Sequence, residues 1–505
     1  NYQVKGYESL LECVVQEIGE IKETVIVAVE DSQKRLPGQR TEYCQYLMTE
    51  QLAGNRYLTG DIKAETNVCP LCGTLGVDVF SNSLKGAGLN ILNMDREGVF
   101  PSLDKSQSWK VYALCAACAD LLYIYKNHVL KKTGPKKDKI PFTAKVAGES
   151  ALIIPFCTLD AENRHGLLKN VRNLIKNIPD DVEDDEENLL DILKDEKGLF
   201  NLTFLWGDIG QNIENLTGVL SDVLPSRLKE LSQFNDLTKK WMHPLFPEFQ
   251  LRAKLNMQAD LSLKALNPLF YRPGGKRAKN INQSKKLFQL KRLIADAVYH
   301  KTQIPEKLFW NEILTTAQWW WLEAIKKRDA YGLLHEGKGK KGDFLTTAGW
   351  IRHMAWWLYY FKNLEVLEMN NDFFKPEMEL LKPYFGPESG INSREKAYVF
   401  LIGILYGKLL EVQGARGVNV GSNALTWLKR LTLKGTDIPE LYVRIREKLL
   451  TYETEKSQKV RELIHEIGKL GISLGDSIEL NQTQTNYYLL LGQSMTTIIL
   501  KKEGT

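Results

Sequence analysis

With 505 residues, the chain is long enough for two to four domains, each able to bury its own core. Hydrophobic residues make up 43% and charged residues 26%, ordinary globular values that exclude overall disorder. The formal net charge of +5 is too small to identify a partner, so the distribution of charge has to carry that information.

In chain order, Leu10, Leu11, Val14, Ile18 and Ile21 repeat at helical spacing, and the β-branched stretch Thr24 to Val29 reads as a strand. Two CxxC pairs follow, Cys69-Pro-Leu-Cys72 and Cys115-Ala-Ala-Cys118, using four of the seven cysteines. Four thiolates from two knuckles supply the closed tetrahedral set that a structural zinc ion prefers, leaving no position for catalytic water. A thiol–disulfide pair or simple reduced thiols are the alternatives. The 42 residues between the pairs, 73–114, exceed the ~15–20 of a compact ribbon, so an inserted segment is expected there. The second pair runs into Ala119, Asp120, Leu121 and Leu122, which reads as a helix start. The remaining cysteines, Cys13, Cys44 and Cys157, are scattered and odd in number, which suits a reducing cytoplasm.

Ala151–Phe156 and Leu199–Trp206 are apolar runs that read as buried strands. Between them, seven of the eight residues from Asp180 to Glu187 are acidic, the pattern of a solvated loop. From about 225 the sequence becomes helical and basic. Between 250 and 345 there are 19 Lys or Arg against 8 Asp or Glu, a local net of +11. Beyond about 385, three apolar stripes at helical spacing run through Ala397–Leu405, Leu441–Leu449 and Val460–Ile467, with a last apolar helix at Tyr487–Leu500. Gly403 and Gly407 stand four apart, a spacing that lets two helices approach closely. The longest apolar run, Ala397–Gly407, is far short of the ~20 residues that span a bilayer. No segment reads as a signal peptide, so no membrane partner is expected. Because the sequence begins at Asn1 rather than Met, a trimmed form of a longer chain is expected.

Evidence for catalysis is thin. The seven histidines form no HxH or HExxH pattern, and neither a Walker loop nor a GxSxG elbow is present. Gly337–Gly342 is glycine-rich but has no preceding strand. Polyanion binding is better supported. Three loops combine glycine with basic or amide side chains: Lys131–Lys139 with Lys136 and Lys137; Arg272–Lys286; and Lys338–Lys341 with Lys338, Lys340 and Lys341. Lysine and arginine neutralise phosphates and release counterions. In the second loop Arg272, Lys276, Arg277 and Lys279 supply charge, while Gly274 and Gly275 let the backbone approach a duplex. Asn280, Asn282 and Gln283 carry donors and acceptors suited to base edges. The plain alternative for each loop is a solvated surface. Trp319–Trp321, Trp350, Trp356, Trp357, Tyr359 and Tyr360 read mainly as core. Lys408, Arg416, Lys429, Arg430, Arg444 and Arg446 lie partly opposite the apolar stripes, either as ordinary surface charge or as a track for a single strand.

Several stretches together resemble the large subunit of the type I-B CRISPR Cascade complex, the Csh-subtype protein. In order they are CPLCG (69–73), DREGVFPSLD (95–104), Trp109 leading into CAAC (115–118), ALIIPF (151–156), NLTFLW (201–206), DVLPSRLKEL (222–231), FLIGILYGKLLEVQ (400–413), LTWLKRL (425–431) and YYLLLGQSM (487–495). Region 240–385 matches only loosely. The resemblance implies a non-catalytic subunit of an RNA-guided surveillance complex that checks a protospacer-adjacent motif on duplex DNA and helps open the strands. The guide supplies most of the sequence recognition in such systems. It implies CRISPR RNA, target double-stranded DNA, Cascade backbone and small subunits, and a helicase–nuclease effector as partners, or a transposition factor in transposon-linked systems. It also implies that the C-terminal helices resemble the small subunit lining the displaced strand, in this subtype also made from an internal start for which Met369 and Met378 are suitably placed. The competing reading is a zinc-containing nucleic-acid-processing enzyme, and the plainest is an assembly scaffold.

The expectation is therefore an α+β, multi-domain chain. Residues 1–240 form an α+β domain with zinc knuckles at 67–120, residues 241–384 a basic, mainly helical region with DNA-contacting loops, and residues 385–505 a helical bundle.

Overall fold

A computed structural model describes residues 8–18, 30–47, 65–81, 83–86, 101–128, 143–146, 149–157, 200–209, 213–238, 241–245, 281–327, 331–335, 346–368, 372–418, 424–475 and 478–501, with isolated positions between them. The fold is mixed α+β, and its contacts divide the chain into two compact units. The first is residues 1–131 with 210–214; the second is residues 132–209 with 215–505.

In the first unit, helix α1 (Leu10–Ile18) carries the expected apolar repeat. Ser9 starts it, its hydroxyl accepting from the Glu12 backbone N–H at 3.1 Å. The strand expected at 24–29 lies outside the described residues. A three-stranded antiparallel sheet follows, ordered β1 (Glu65–Asn67), β2 (Val77–Phe80), β3 (Leu114–Cys115). Val79 pairs with Cys115 and Phe80 with Leu114, so the spacer between the CxxC pairs supplies the strand on which the second pair is registered. Helix α2 (Ala116–His128) leaves β3 directly, one turn earlier than the expected start at Ala119. Tyr57, Val79, Phe80, Leu84, Ala113, Leu114 and Ala119 form a small core together with Cys69 and Cys118.

In the second unit, β4 (Thr143–Val146), β5 (Glu149–Cys157), β6 (Phe200–Ile209) and β7 (Ile213–Val223) form a four-stranded sheet in that order. The two expected apolar strands are β5 and β6, paired antiparallel with Ile153 opposite Phe204 and Ala151 opposite Trp206. The Trp206 indole N–H donates to the Val146 carbonyl at 3.0 Å, satisfying its one polar atom in the core. Proline opens helix α3 (Pro225–Thr238), where its missing N–H costs nothing.

Helix α4 (Ile281–His300) begins inside the stretch expected as a loop. No glycine or proline follows Gly275 there, and Gln283, Lys285, Lys286 and Leu287 are strong helix formers, so the chain is helical from Ile281. Helices α5 (Glu306–Lys327), α6 (Thr347–Asn363), α7 (Arg394–Ala415), α8 (Ile438–Thr451), α9 (Gln458–Leu474) and α10 (Gln482–Ile499) complete the unit. Thr346, Ser393 and Asn481 cap α6, α7 and α10 through side-chain oxygens. One continuous apolar cluster runs from Val146 in the sheet to Leu500 after α10. Trp321, Trp350, Trp356 and Tyr360 are fully buried in it, in keeping with their expected place in the core.

The closest helix pair is α7 against α10. A Cβ at Gly403 would meet the Leu489 carbonyl oxygen at 2.2 Å, and one at Gly407 the Thr496 hydroxyl at 2.0 Å. Across the interface a Cβ at Gly492 would meet the Phe400 carbonyl oxygen at 1.9 Å. Bare backbone on both helices therefore permits the contact, and Thr496 donates to the Ile404 carbonyl at 2.9 Å. Helix α7 is long and apolar enough to cross a membrane by length and composition, but 78% of its apolar window is buried in this core. The short apolar run seen in the sequence is thus part of a 22-residue central helix.

Candidate metal centre and nucleic-acid-binding residues

The four CxxC sulfurs converge, all lying within 4.8 Å of one another. Local backbone explains how. The Cys69 N–H donates to the Thr74 carbonyl at 3.0 Å and the Gly73 N–H to the Cys69 carbonyl at 2.8 Å, closing the first knuckle. Gly73 adopts φ +71°, a left-handed conformation that glycine accepts at little cost. The second knuckle comes from β3 and the first turn of α2, so pairing of β3 with β2 places Cys115 beside the first pair. The Cys72 and Cys115 sulfurs are 3.9 Å apart. An ion ~2.3 Å from each of four tetrahedral sulfurs requires S–S edges of ~3.8 Å, so the donor set fits a metal ion.

The environment favours thiolate at the two sulfurs of the first knuckle. Burial opposes ionisation of Cys69, but N–H groups of Cys115, Cys72 and Leu71 outweigh it and bring the thiol down to about 6. The Cys115 N–H lies 3.4 Å from the Cys69 sulfur. The Thr74 hydroxyl, 3.1 Å from Cys72, lowers that thiol. Burial, and then the neighbouring cysteines, push Cys118 up, as expected for thiols crowded together without a cation. A divalent ion reverses this, since coordination removes the proton outright. Cys69 and Cys118 are buried, Cys115 half-buried and Cys72 exposed, so the centre sits at the edge of the small core. Tyr57, whose hydroxyl bonds to Asp120 on α2, and Thr74 also support the centre. Sequence reasoning missed both. Thr74 directly follows the glycine of the knuckle, which was an available signal; Tyr57 had none.

Many proposed nucleic-acid residues fall where placement is not described. Lys136, Lys137, Arg272, Gly274, Gly275, Lys276, Arg277, Lys279, Asn280, Lys338, Lys340 and Lys341 all lie outside the described residues, as do the acidic residues 180–187. Asn282 and Gln283 occupy the first turn of α4.

The C-terminal basic residues are described, and most already have partners. Lys408 is largely buried and meets Glu411 at 2.9 Å. The Arg416 guanidinium lies over the Tyr452 ring at 4.8 Å and donates to the Tyr452 carbonyl at 3.0 Å. Arg444 pairs with Glu440 on α8 at 2.5 Å, and Arg446 with Glu455 at 3.6 Å. Lys429 reaches Asp437 at 2.9 Å; the Lys434 N–H and then Lys429 hold that carboxyl below its usual range. Of these, the Arg444–Glu440 pair is exposed on both sides, and such pairs contribute at most about 1 kcal/mol. Lys429, Arg430 and Leu431 share left-handed φ values of +43°, +57° and +62°. Such a run in L-residues is strained by roughly 1–2 kcal/mol each. Buried Leu428 and Leu431 hold it, leaving Lys429 and Arg430 exposed.

Comparison with known families adds the remaining evidence. A model described as the central domain of CRISPR-associated protein TM1802 matches residues 66–223, the span containing all four clustered cysteines. A model of the C-terminal domain of the same protein matches residues 342–504, which include α6 to α10. No curated protein matches the chain.

Proposed function

We propose, for a chain that belongs to the CRISPR-associated (Cas) proteins, the role of non-catalytic large subunit in a type I-B Cascade DNA-surveillance complex. The observation that carries this reading is the paired match to the central and C-terminal domains of one Cas protein, in the same order as the stretches resembling that subunit. In this role the guide RNA pairs with the target strand, while the protein checks a short protospacer-adjacent motif on duplex DNA, aids strand opening, stabilises the R-loop and recruits the helicase–nuclease.

Zinc is the metal best suited to the four-thiolate set, and its task is structural, because four sulfurs leave no open coordination position. Cys69, Cys72, Cys115 and Cys118 would hold it and so fix β3 and α2 against the first knuckle. The basic stretch around Arg272–Gln283, with the loops at 131–139 and 338–341, supplies duplex contacts, and Lys408, Arg416, Lys429, Arg430, Arg444 and Arg446 the track for the displaced strand. Division of labour among residues 1–240, 241–384 and 385–505 belongs to this proposal, as does a cytoplasmic location with backbone and small subunits as neighbours.

The test is purification of the native protein from cells carrying its neighbouring genes. Copurification with a guide RNA and a repeated backbone subunit, motif-dependent binding of target duplex and no cleavage by the complex alone are the expected results. Metal-dependent cleavage by the purified chain would instead establish a zinc-containing nucleic-acid-processing enzyme. Recovery of the complex without DNA affinity at low salt would leave an assembly scaffold.

A further inference from the structure

Arg292, on the inner part of α4, occupies an unusual position. Its guanidinium carbon lies 5.9 Å from the Trp206 ring and 5.8 Å from the Phe288 ring. It rests on the backbone of Gly218 in β7, where a Cβ would meet that carbon at 2.1 Å and the adjoining Nε at 2.2 Å. Any other residue at 218 would therefore evict the arginine. Glycine in the middle of a strand weakens it and marks close approach by another group.

What the guanidinium lacks is equally telling. Among the described residues no carboxylate pairs with it, and burial alone shifts it, downward. The natural helical partner, Asp296 four residues on, turns instead to His300 at 3.0 Å. His300 in turn meets the Ser221 carbonyl of β7 at 2.6 Å. The chain thus gives up side-chain packing at Gly218 and partly desolvates a permanent charge. In return it obtains two ring contacts. A planar fork of donors held beside two rings, with no carboxylate partner among the described residues, has the chemistry that recognises phosphate.

We infer that Arg292, seated on Gly218 beside Trp206 and Phe288, is a phosphodiester-binding residue that extends the basic stretch of α4 into the β7 face. The inference rests on the nucleic-acid role proposed above. Two sources share this chemistry, target DNA and guide RNA.

The experiment compares the full chain with its R292M and R292K variants, each in the complete guide-bound assembly. It measures target-duplex affinity across a salt series, guide RNA per complex and thermal midpoint. Methionine keeps an unbranched stem against the rings, so R292M should melt no lower than the parent, whereas its duplex affinity should fall about tenfold. The slope of log affinity against log salt should become shallower by about 0.9, the loss of one phosphate contact. R292K, with charge but no fork, should lie between them. A fall in guide RNA content with DNA affinity unchanged identifies the RNA as the source; the converse identifies the DNA. If R292M binds both as the parent does, or if it melts early while R292K binds as the parent does, Arg292 is only a packing element and the inference is overturned. A parent assembly that binds neither nucleic acid overturns the functional reading, and this inference with it.

Discussion

Replacing Cys118 with serine should empty the metal centre and loosen the first unit selectively. The Cys118 side chain is 6% exposed and is one of nine buried residues in that unit's core, two of which are cluster cysteines. Structural zinc in four-ligand sites contributes an apparent ~10–16 kcal/mol, so each thiolate carries roughly 2.5–4 kcal/mol. Loss of one ligand then weakens metal binding on the order of a hundredfold to several hundredfold. The serine hydroxyl, left where a sulfur was buried, adds about 1–3 kcal/mol if it finds no partner. The sum rivals the ~5–15 kcal/mol that stabilises a whole domain. The assay is metal content per chain together with limited proteolysis. One metal ion per parent chain is expected, reduced to near zero in C118S, with new cleavages concentrated within residues 1–131. C157S is the control, since Cys157 is also 6% exposed but lies in the second unit, outside the cluster. The reasoning fails if C118S keeps its metal and the parent's cleavage pattern, or if C157S loses metal equally.

Gly492→Ala should lower the thermal midpoint, because its Cβ would meet the Phe400 carbonyl oxygen at 1.9 Å and force α7 and α10 apart, an overpacking cost of about 1–3 kcal/mol. Gly468→Ala on α9, with nothing within 4 Å, should instead be neutral or stabilising by up to about 1 kcal/mol, and equal effects at the two sites would refute the close-contact argument. Lys396 is buried, donates to Asn392 at 2.7 Å and lies over the Tyr488 ring. Burial, and then repulsion from Lys362, bring it down to about 8 against attraction from Glu306 and Glu395. Between pH 8 and the ordinary lysine value of 10.5 the unfolded chain holds more protons, so this residue's contribution to stability rises with pH across that window. K396M should therefore stabilise at pH 7 by roughly 2–4 kcal/mol, an advantage that shrinks by pH 10 in paired thermal melts; a constant difference would exclude the titration. Lys276→Ala combined with Arg277→Ala should weaken target-duplex binding in filter or gel assays while leaving assembly with guide RNA intact; unchanged binding removes that stretch from the interface. Substituting Asn282 or Gln283 should alter motif preference, whereas a uniform loss across motifs would assign them to backbone contact only.

The most legible parts of the sequence were those governed by local periodicity. Val460, Leu463 and Ile467 announced α9, and Ala151–Phe156 and Leu199–Trp206 announced β5 and β6, because each strand or helix buries one face of its own repeat. Arg272–Lys286 misled, since glycine and amides near its start suggested a loop throughout, whereas propensity takes over from Ile281. The left-handed turn at Lys429–Leu431 had no signal, as none of its residues favours that conformation; buried leucines on either side enforce it.

By itself the sequence determined the thiol inventory and the two CxxC pairs, the apolar stripes of α7 to α10, and the glycine pair at 403 and 407. These depend only on residue type and near spacing. Tertiary structure decided that β2, inside the 42-residue spacer, pairs with β3 and so brings all four sulfurs within 4.8 Å. It also supplied Gly492 opposite Phe400, and Gly218 beneath Arg292. Each of these joins positions from about 36 to more than 90 residues apart, as Val79 with Cys115 and Phe400 with Gly492 show. A local pattern records which face an element hides, but not what it hides that face against. That choice is made when the core closes, by shape and backbone pairing across the chain.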